Sequence, residues 1–397
     1  MGCGIADFGM LCALGTSVSS CATALFSERL PQLSHRTVVG GRRVPVFEVS
    51  DIPTLPMAFG NYDCRNNRLA FGCYRQIEHT VARYIKGIDA KRVGVVLGSS
   101  TSGLDASEAA FQLQKRTGAY PEKYSFHTQH AMGSLPRFIA ALCGAKGPVY
   151  TISTACSSAA KAMMSAKGLI DANICDVVIT GGVDALCDLT VNGFAALGQL
   201  SDSRTNPLSI NRCGLNIGEG GALFVLTKEE SPIYLLGGGE SMDAYHMSAP
   251  HPEGVGAALA MTRALENAGV SPESVAYVNL HGTATKANDA MEIKAVHRVT
   301  PHAKVSSSKP FLGHCLGAAG ALETAVCCIS LCDNPGRLPA HIFDGELDPD
   351  LPPVPLALPQ NVERPQNGED YCYLCNSFAF GGNNCTLVLG PGKGGLR

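Results

Sequence analysis

Short apolar runs alternate with longer stretches of helical periodicity along most of the chain. Runs typical of β-strands lie at residues 93–97, 149–152, 177–180, 222–226, 233–236, 275–280 and 371–374. Stretches with helical spacing of apolar residues lie at 157–172, 255–268, 289–296 and 318–331. This alternation predicts an α/β protein in which helices cover a sheet of buried, largely parallel strands.

A charged, proline-ended break divides this series near residue 230. The segment TKEESP (227–232) stands between two apolar strands, and each side holds a comparable number of strands and helices. A chain of 397 residues also exceeds the usual size of one domain. We therefore predict two halves, 1–230 and 231–397, although no convincing internal repeat is visible.

Composition narrows the function classes. Apolar residues make up 45% of the chain and charged residues only 16%, which indicates that an oligomeric partner covers part of the surface, with a homodimer as the default. The net charge of −3 argues against a nucleic-acid binder held by bulk charge. An anionic partner would need a local basic patch.

The cysteines and the N-terminal residues predict a cytoplasmic protein. Seventeen cysteines form an odd, irregular set without a recognisable leader, which favours free thiols in a reducing compartment. The opening MGCGIA resembles an acylation signal but has Ala6 where Ser or Thr is expected. CYLC (372–375) has the spacing of a zinc-binding pair but no second pair, so structural cysteines are favoured. No apolar run reaches the roughly 18 residues of a membrane span.

The stretch YTISTACSS (150–158) carries the first candidate for chemistry. A β-branched strand ends just before Cys156, and an alanine-rich helix begins just after it. A thiol at a helix N-terminus is expected to have a lowered pKa and to act as a nucleophile. Alternatively, one cysteine among seventeen could be a small core residue.

Three further segments place polar groups at the ends of strands. In YVNLHGTATKANDAMEI, His281 follows an apolar strand, where α/β sheets usually bind ligands, although it could equally be a core histidine. VSSSKPFLGHCLGAAGALE puts Lys309 and His314 before a small-residue helix. Glu323 lies too far along that helix to be a neighbour of His314 and could reach it only through Lys309 or a water. NSFAFGGNNCTLVL is a glycine-containing turn between two strands, or simply a hairpin.

The four motifs TACSS, HGTAT..ND, K....GH..GAAG and NSFAFGG occur in the order found in a known family. Together they resemble the β-ketoacyl-acyl carrier protein synthases of the thiolase superfamily, specifically the elongating type I and type II enzymes. The likeness covers nearly the whole chain, including GSSTSGL, VVITGGVDAL, GLNIGEGG and ESMDAYHMSAP. It implies a thiolase-like five-layer α/β/α/β/α fold built from two similar halves and working as a dimer.

The resemblance also implies roles for named residues. Cys156 matches the nucleophile that takes the acyl chain from a carrier-protein thioester. His281 and His314 match the pair that promotes malonyl decarboxylation and stabilises the enolate. Lys309 and Glu323 match residues that set the charge around His314. The implied reaction is acylation of the cysteine, then decarboxylative Claisen condensation with malonyl-carrier, giving β-ketoacyl-carrier and CO2.

Other matches concern the entrance and the partners. Phe380 matches an aromatic gate whose backbone N–H, with that of Cys156, forms an oxyanion hole. Thr283 and Thr285 match threonines that hold the phosphopantetheine arm, and Ser107 falls where larger residues limit acyl length. Three arginines resemble positions that dock the acidic carrier protein: Arg65, Arg68 and Arg204. No metal or organic cofactor is implied beyond the carrier's phosphopantetheine.

Departures from the family pattern predict a specialised branch. Ala284 and Ala379 stand where glycine is common, which is expected to stiffen the gate. Cys213 interrupts the usual arginine-aspartate-glycine run, and Ser107 indicates a roomy pocket. These traits resemble a ketosynthase of aryl polyene synthesis, whose partner would be a chain-length factor. The alternatives are a coenzyme A-dependent thiolase, which would end in a second cysteine motif, and a non-catalytic chain-length factor, which would lack Cys156.

Overall fold

The computed structural model describes residues 2–333, 336–363 and 371–392. The strands are β1 (Cys3–Cys12), β2 (Ser34–Thr37), β3 (Arg43–Val46), β4 (Val93–Gly98), β5 (Val149–Ile152), β6 (Val177–Asp184), β7 (Gly220–Thr227), β8 (Ile233–Met242), β9 (Val275–Asn279), β10 (Lys304–Ser306), β11 (Cys372–Phe378) and β12 (Asn383–Pro391). The α-helices are α1 (Val18–Phe26), α2 (Arg65–Ile85), α3 (Leu104–Thr117), α4 (Ser134–Cys143), α5 (Ser158–Asp171), α6 (Asp188–Ala196), α7 (Val255–Ala268), α8 (Lys286–Val299), α9 (Lys309–Leu312) and α10 (Ala319–Cys332).

The order of the strands reveals a repeat that the amino-acid sequence hides. One ten-stranded sheet runs β10-β9-β11-β12-β8-β1-β7-β6-β4-β5. In the first half, β4 lies parallel to β5 and β6, while β7 is antiparallel to β6 and β1. In the second half, β9 lies parallel to β10 and β11, while β12 is antiparallel to β11 and β8. The same five-strand plan therefore occurs twice.

The two halves meet at a short antiparallel pairing and around a central helical layer. Cys3 of β1 lies opposite Leu235 of β8, and Ile5 lies opposite Ile233. Helices α5 and α10 share one fully buried core with strands from both halves. Helices α2 and α4 cover the first half in a second core, and α7 and α8 cover the other half in a third. These are the five layers that the sequence analysis expected.

Small residues allow the central helices to approach the sheet closely. A side chain at Gly98 would place its Cβ only 2.4 Å from the backbone nitrogen of Ala159, so α5 packs directly on β4. Gly320 of α10 approaches Ala160 in the same way, with 3.1 Å to a hypothetical Cβ. Close packing of alanine-rich helices thus brings the N-terminal ends of α5 and α10 together.

One prediction about the sheet is wrong. The strands were expected to be largely parallel, but the described strands of the large sheet make five antiparallel pairings and four parallel ones. The turn between β11 and β12 is too short for a crossover, and a short turn can join only antiparallel strands. The predicted strands are otherwise present, and several are longer than expected: β6 runs to Asp184 and β8 runs to Met242.

Two smaller points follow from the placement of the elements. Cys372 and Cys375 belong to different cores on opposite faces of β11, so they could not bind one ion together. All seventeen cysteines are free thiols.

Within the described residues, no helix combines the length and apolar character needed to cross a bilayer.

Candidate active site

Cys156 lies on a tight turn between β5 and α5. The preceding residue, Ala155, has a left-handed backbone with φ of +54°, which costs a non-glycine residue about 1 kcal/mol. Hydroxyl groups hold this turn: Ser158 Oγ donates to the Ala155 carbonyl at 2.5 Å and accepts from the Thr154 N–H at 2.9 Å. The strained turn therefore fixes the cysteine immediately before the first turn of α5.

Burial acts against the thiolate that the sequence analysis expected. The thiol is 6% exposed, and desolvation raises the pKa of Cys156 to about 12, while Lys309 and the backbone N–H of Phe380 oppose the rise. The predicted lowering of the thiol pKa is thus wrong for the resting site. Burial raises the thiol pKa by more than the helix N-terminus lowers it, so the sulfur needs a base to lose its proton.

A histidine from the other half of the molecule lies within hydrogen-bonding distance of the sulfur. Cys156 Sγ lies 3.0 Å from His314 Nε2. The rings of His281 and His314 meet edge to face with centroids 5.3 Å apart. Burial, and next the charge of Lys309, lower the pKa of both histidines well below the ordinary value, so both rings are neutral.

The turn that carries His281 is anchored by a buried carboxylate. Glu292 of α8 accepts the backbone N–H groups of His281 and Gly282, each at 2.8 Å. It also accepts the Asn376 amide of β11 at 3.2 Å. Gly282 has a left-handed φ of +42°, and a Cβ there would lie 2.6 Å from the Ser307 side chain. The imidazole is therefore presented from a rigid turn at the end of β9.

His314 is held by the GLNIGEGG segment of the first half. Its backbone N–H donates to the Asn216 carbonyl at 2.8 Å, and its carbonyl accepts the Gly218 N–H at 3.0 Å. The preceding Gly313 has φ of +71° and leaves no room for a side chain, because a Cβ would lie 2.6 Å from Phe47. This pairing crosses the boundary between the halves and fixes the distance from the imidazole to the sulfur.

Lys309 and Glu323 form an ion pair in which both side chains are 1% exposed. The Lys309 ammonium also donates to the carbonyl of His281 at 2.7 Å. Burial raises the pKa of Glu323 to about 7 although Lys309 opposes the rise. The sequence analysis expected Glu323 to reach His314 only through a water or Lys309, whereas the structure shows Lys309 joining Glu323 to the backbone carbonyl of His281.

A cavity of about 210 Å³ opens onto the sulfur and both imidazoles. Phe380 lines it and stacks on Phe194 of α6, with centroids 5.5 Å apart and planes 21° apart. The Phe380 backbone N–H points at the Cys156 thiol. Thr283 and Thr285 also line the cavity and hydrogen-bond to each other at 3.0 Å. These predicted site residues thus share one cavity with Cys156.

Ser107 and the three arginines have other surroundings. Ser107 is buried and hydrogen-bonds to Tyr124 at 2.7 Å and to His130 at 2.6 Å, away from the residues that line this cavity. The arginines are already engaged with protein groups. Their partners are Glu219 and the Val49 carbonyl for Arg65, Asp63 for Arg68, and the carbonyls of Pro31 and Pro310 for Arg204. Carrier docking by these residues stays a prediction.

The two alanines noted as departures differ in backbone conformation. Ala284 has a left-handed φ of +61°, a conformation that favours glycine. Ala379 has φ of −102°, which any residue adopts, and the left-handed positions are Gly381 and Gly382 after it. The Ala379 side chain therefore introduces no backbone strain that would stiffen the gate.

Sequence reasoning missed three residues that support the site. Glu292 was visible only as an acid in the second turn of α8. Phe194 stacks on the gate from a distant helix and contacts His314 edge to face at 6.2 Å. His341 is 1% exposed and accepts the Ser307 N–H at 3.2 Å, while its other ring nitrogen lies 3.1 Å from the Pro207 carbonyl. No local signal distinguishes the last two from core residues.

Family models match both halves of the chain. The model for the β-ketoacyl synthase N-terminal domain matches residues 76–231, and the model for the C-terminal domain matches residues 234–340. The 3-oxoacyl-[acyl-carrier-protein] synthase 2 of Vibrio cholerae is 34% identical over 323 residues, which are 76% of each chain. That of Coxiella burnetii is 35% identical over 326 residues, 77% of each chain.

Solved structures extend the match to almost the full length. A chain of the complex of the ketosynthase ApeO with its chain length factor ApeC from Xenorhabdus doucetiae is 38% identical, with a TM-score of 0.91 over 98% of each chain. A chain of the ishigamide ketosynthase/chain length factor is 26% identical, with a TM-score of 0.85 over 98% of this chain and 99% of that one. Since both halves match and the fold is shared throughout, the chain belongs to the β-ketoacyl-acyl carrier protein synthases, the condensing acyltransferases of the thiolase fold.

Proposed function

We propose that Cys156 is the acyl acceptor and that His281 and His314 promote decarboxylative condensation, within a specialised polyene or polyketide pathway. One observation carries the assignment. The sulfur lies 3.0 Å from the Nε2 atom of His314, with His281 beside that ring and the Phe380 N–H directed at the sulfur. A nucleophile, two neutral imidazoles and an oxyanion donor thus face one cavity.

Acyl transfer begins with the protonated thiol. As the sulfur attacks the thioester carbonyl of an acyl-carrier, its proton passes to His314 Nε2. The backbone N–H groups of Phe380 and Cys156 stabilise the negative charge on the carbonyl oxygen. The carrier's thiolate leaves and takes the proton from His314, which restores the neutral ring. The raised pKa of the thiol makes this base necessary.

Condensation uses the same imidazoles as donors. Malonyl-carrier binds with its thioester oxygen near His281 and His314, and loss of CO2 leaves an enolate whose charge the two Nε2–H groups stabilise. The enolate carbon attacks the acyl carbonyl on Cys156, and the freed sulfur is reprotonated. Within the described residues, both Nδ1 atoms are buried without a hydrogen-bond partner, so neither ring is locked in one tautomer.

This cycle needs no metal or organic cofactor, because the two imidazoles supply the stabilisation that the enolate requires. Removing one such donor typically costs about 10²- to 10³-fold in rate. The phosphopantetheine arm of the carrier would enter along Thr283 and Thr285, whose hydroxyls line the cavity and hydrogen-bond to each other. One hydroxyl donates to the other, so the accepting hydroxyl keeps its own proton to donate to an amide of the arm.

A chain-length-factor subunit is the proposed partner. β5 is an edge strand of the large sheet, and Thr151 on it donates to the Met132 carbonyl at 2.6 Å. Met132 at this edge is 38% exposed, and three aromatic side chains in the segments that precede it are exposed by 50–58%: Phe111, Tyr120 and Phe126. An unpaired edge beside exposed aromatic groups is a surface that a second subunit would cover. Both full-length structural matches above come from complexes with a chain length factor.

The same comparison supports the proposed pathway. Identity to a chain of the ApeO–ApeC complex is 38% over 98% of this chain, against 34% over 76% for the Vibrio cholerae synthase. The full-length likeness and the departures at Ala284 and Cys213 support the aryl polyene branch over housekeeping fatty-acid synthesis.

Intact-protein mass spectrometry tests the residue roles. After incubation with acyl-carrier, the protein should gain one acyl mass on Cys156, and Cys156→Ala should gain none. His314→Ala should still acylate slowly but should lose condensation with malonyl-carrier by about 10²-fold or more. Condensation at the parent rate by His314→Ala would refute its assignment.

Native mass spectrometry tests the partner. Co-expression with a ketosynthase-like chain-length-factor subunit should give a one-to-one complex, and only that complex should elongate polyene chains. A stable homodimer that elongates to full length without a second subunit would overturn the heterodimer proposal and leave the residue roles intact.

A further inference from the structure

The reacting groups of the cavity are also a set of metal ligands. Cys156 Sγ and one ring nitrogen each of His281 and His314 lie within 4.8 Å of one another, and all three side chains are buried. Within residues 2–333, 336–363 and 371–392, no other three His, Cys, Asp or Glu side chains are so arranged. We propose that this triad binds a soft divalent cation of the zinc type, which reversibly blocks the nucleophile.

The distances fit such an ion after a small adjustment. Zinc binds thiolate at about 2.3 Å and imidazole at about 2.0–2.1 Å, so tetrahedral ligand atoms lie roughly 3.5 Å apart. The sulfur and His314 Nε2 are 3.0 Å apart and would have to open by about 0.5 Å, while the widest pair, at most 4.8 Å apart, would have to close by about 1.3 Å or less. The adjoining cavity of about 210 Å³ gives room for that side-chain rotation and for water as a fourth ligand.

The charges in the site also permit a cation. Both imidazoles are neutral, the state that binds metals. The ammonium of Lys309 is compensated by its ion pair with Glu323. On binding, the S–H bond of Cys156 breaks, a bond from sulfur to metal forms, and one proton is released to solvent. A thiolate with two imidazoles is a ligand set that binds zinc and cobalt in preference to magnesium or calcium.

Metal binding and catalysis exclude each other at this site. Coordination withdraws electron density from the sulfur, and the ion occupies the part of the cavity from which a thioester would approach. An alkylated sulfur is in turn a poor ligand. We therefore expect zinc to inhibit the enzyme, a chelator to restore activity, and carbamidomethylation of Cys156 by iodoacetamide to prevent metal binding. The inhibition rests on the proposed function, since it requires Cys156 to be the nucleophile, whereas metal binding and its loss on alkylation do not.

Cobalt chloride is the probe, added to the intact enzyme or its native complex. The wild-type protein should bind one Co²⁺ per chain and show thiolate-to-cobalt charge-transfer absorption with the visible bands of a four-coordinate ion. Cys156→Ser should lose the charge-transfer band, and His281→Ala or His314→Ala should each weaken binding by at least about tenfold. Cys213→Ser is the matched control, because Cys213 is an exposed thiol outside the triad.

Each outcome decides the proposal. A charge-transfer band that persists in Cys156→Ser, or disappears in Cys213→Ser, would assign the metal to another thiol and overturn it. A wild-type enzyme that condenses normally but shows no saturable cobalt spectrum would also overturn it while leaving the proposed function standing. A wild-type protein that shows the expected cobalt spectrum but does not condense acyl-carrier with malonyl-carrier would instead refute the proposed function alone.

Discussion

The buried pair of Lys309 and Glu323 allows a quantitative test of how the site is held together. Each side chain is 1% exposed, and the ammonium also donates to the His281 carbonyl. Replacing Glu323 by Leu leaves a buried ammonium without its counter-charge. Replacing Lys309 by Met leaves a buried carboxylate instead. Both changes should therefore be strongly destabilising at a pH where the carboxyl group is ionised.

The expected magnitudes follow from burial. Removing one partner of a buried pair costs about 3–5 kcal/mol in free energy of unfolding, whereas replacing both by apolar side chains is often neutral. Two independent losses would add to about 6–10 kcal/mol, comparable to the whole stability of a typical protein. We expect the double variant Lys309→Met/Glu323→Leu to be more stable than either single variant, although its condensation should be lost because no cation remains beside His281.

Urea unfolding followed by circular dichroism measures these values. The experiment belongs at about pH 8.5, above the pKa of about 7 to which burial raises Glu323. The matched control is the surface pair Lys167 and Asp171, in which the aspartate side chain is 52% exposed. Its removal should change the free energy by less than about 1 kcal/mol. The reasoning would be refuted if the single variants lost no more free energy of unfolding than this control. It would also be refuted if the loss in the double variant equalled the sum of the losses in the two single variants.

Three other predictions concern residues that support the site. Burial raises the pKa of Glu292 from 4.5 to about 7. The protonated carboxyl therefore contributes its full stabilisation below pH 4.5, and this stabilisation is lost as the pH rises through 7. Glu292→Gln should reduce the change of the urea midpoint with pH over that range. His341→Leu should remove the acceptor for the Ser307 N–H and lower the condensation kcat about tenfold with little change in KM, and His341→Asn should restore part of it. Phe194→Ala should remove the stacking partner of Phe380 and speed iodoacetamide alkylation of the cysteine.

Particular results would contradict each of these. A pH profile of the Glu292→Gln variant that parallels the wild type would place the titration elsewhere. Equal kcat values for His341→Leu and the parent would show that Ser307 keeps its position without the ring. Unchanged alkylation in Phe194→Ala, with Leu189→Ala on the exposed face of the same helix as control, would show that Phe380 holds the entrance alone.

The sequence predicted the parts of the fold that local patterns encode. Continuous apolar runs identified β6 and β7, which are buried along their whole length. Helix α2 was not predicted although Leu69, Cys73, Ile77 and Val81 recur at its buried face, because polar residues dominate the stretch. Strand pairing depends on contacts between distant segments, so the twofold plan of the sheet was an inference from layout alone.

The site shows the same division. Cys156, His281 and His314 each stand in a motif at the end of a strand, and the structure brings them into one cavity. The state of the thiol was mispredicted because burial is a property of the assembled halves, and His314 of the second half lies beside the sulfur only after they pack. His341 carries no motif, since its role depends on a partner 34 positions away along the chain.

The seam between β1 and β8 has a consequence for how reactivity arises. Cys156 belongs to one half and the imidazoles of His281 and His314 to the other, and a backbone hydrogen bond from Gly218 to His314 joins the halves. Neither half alone possesses an attacking sulfur with a base in reach. If the chain is cut between Thr227 and Ile233, the separate fragments should therefore not react with a thioester. Recovery of that thiol reactivity on mixing would show that the fragments had associated in the native arrangement.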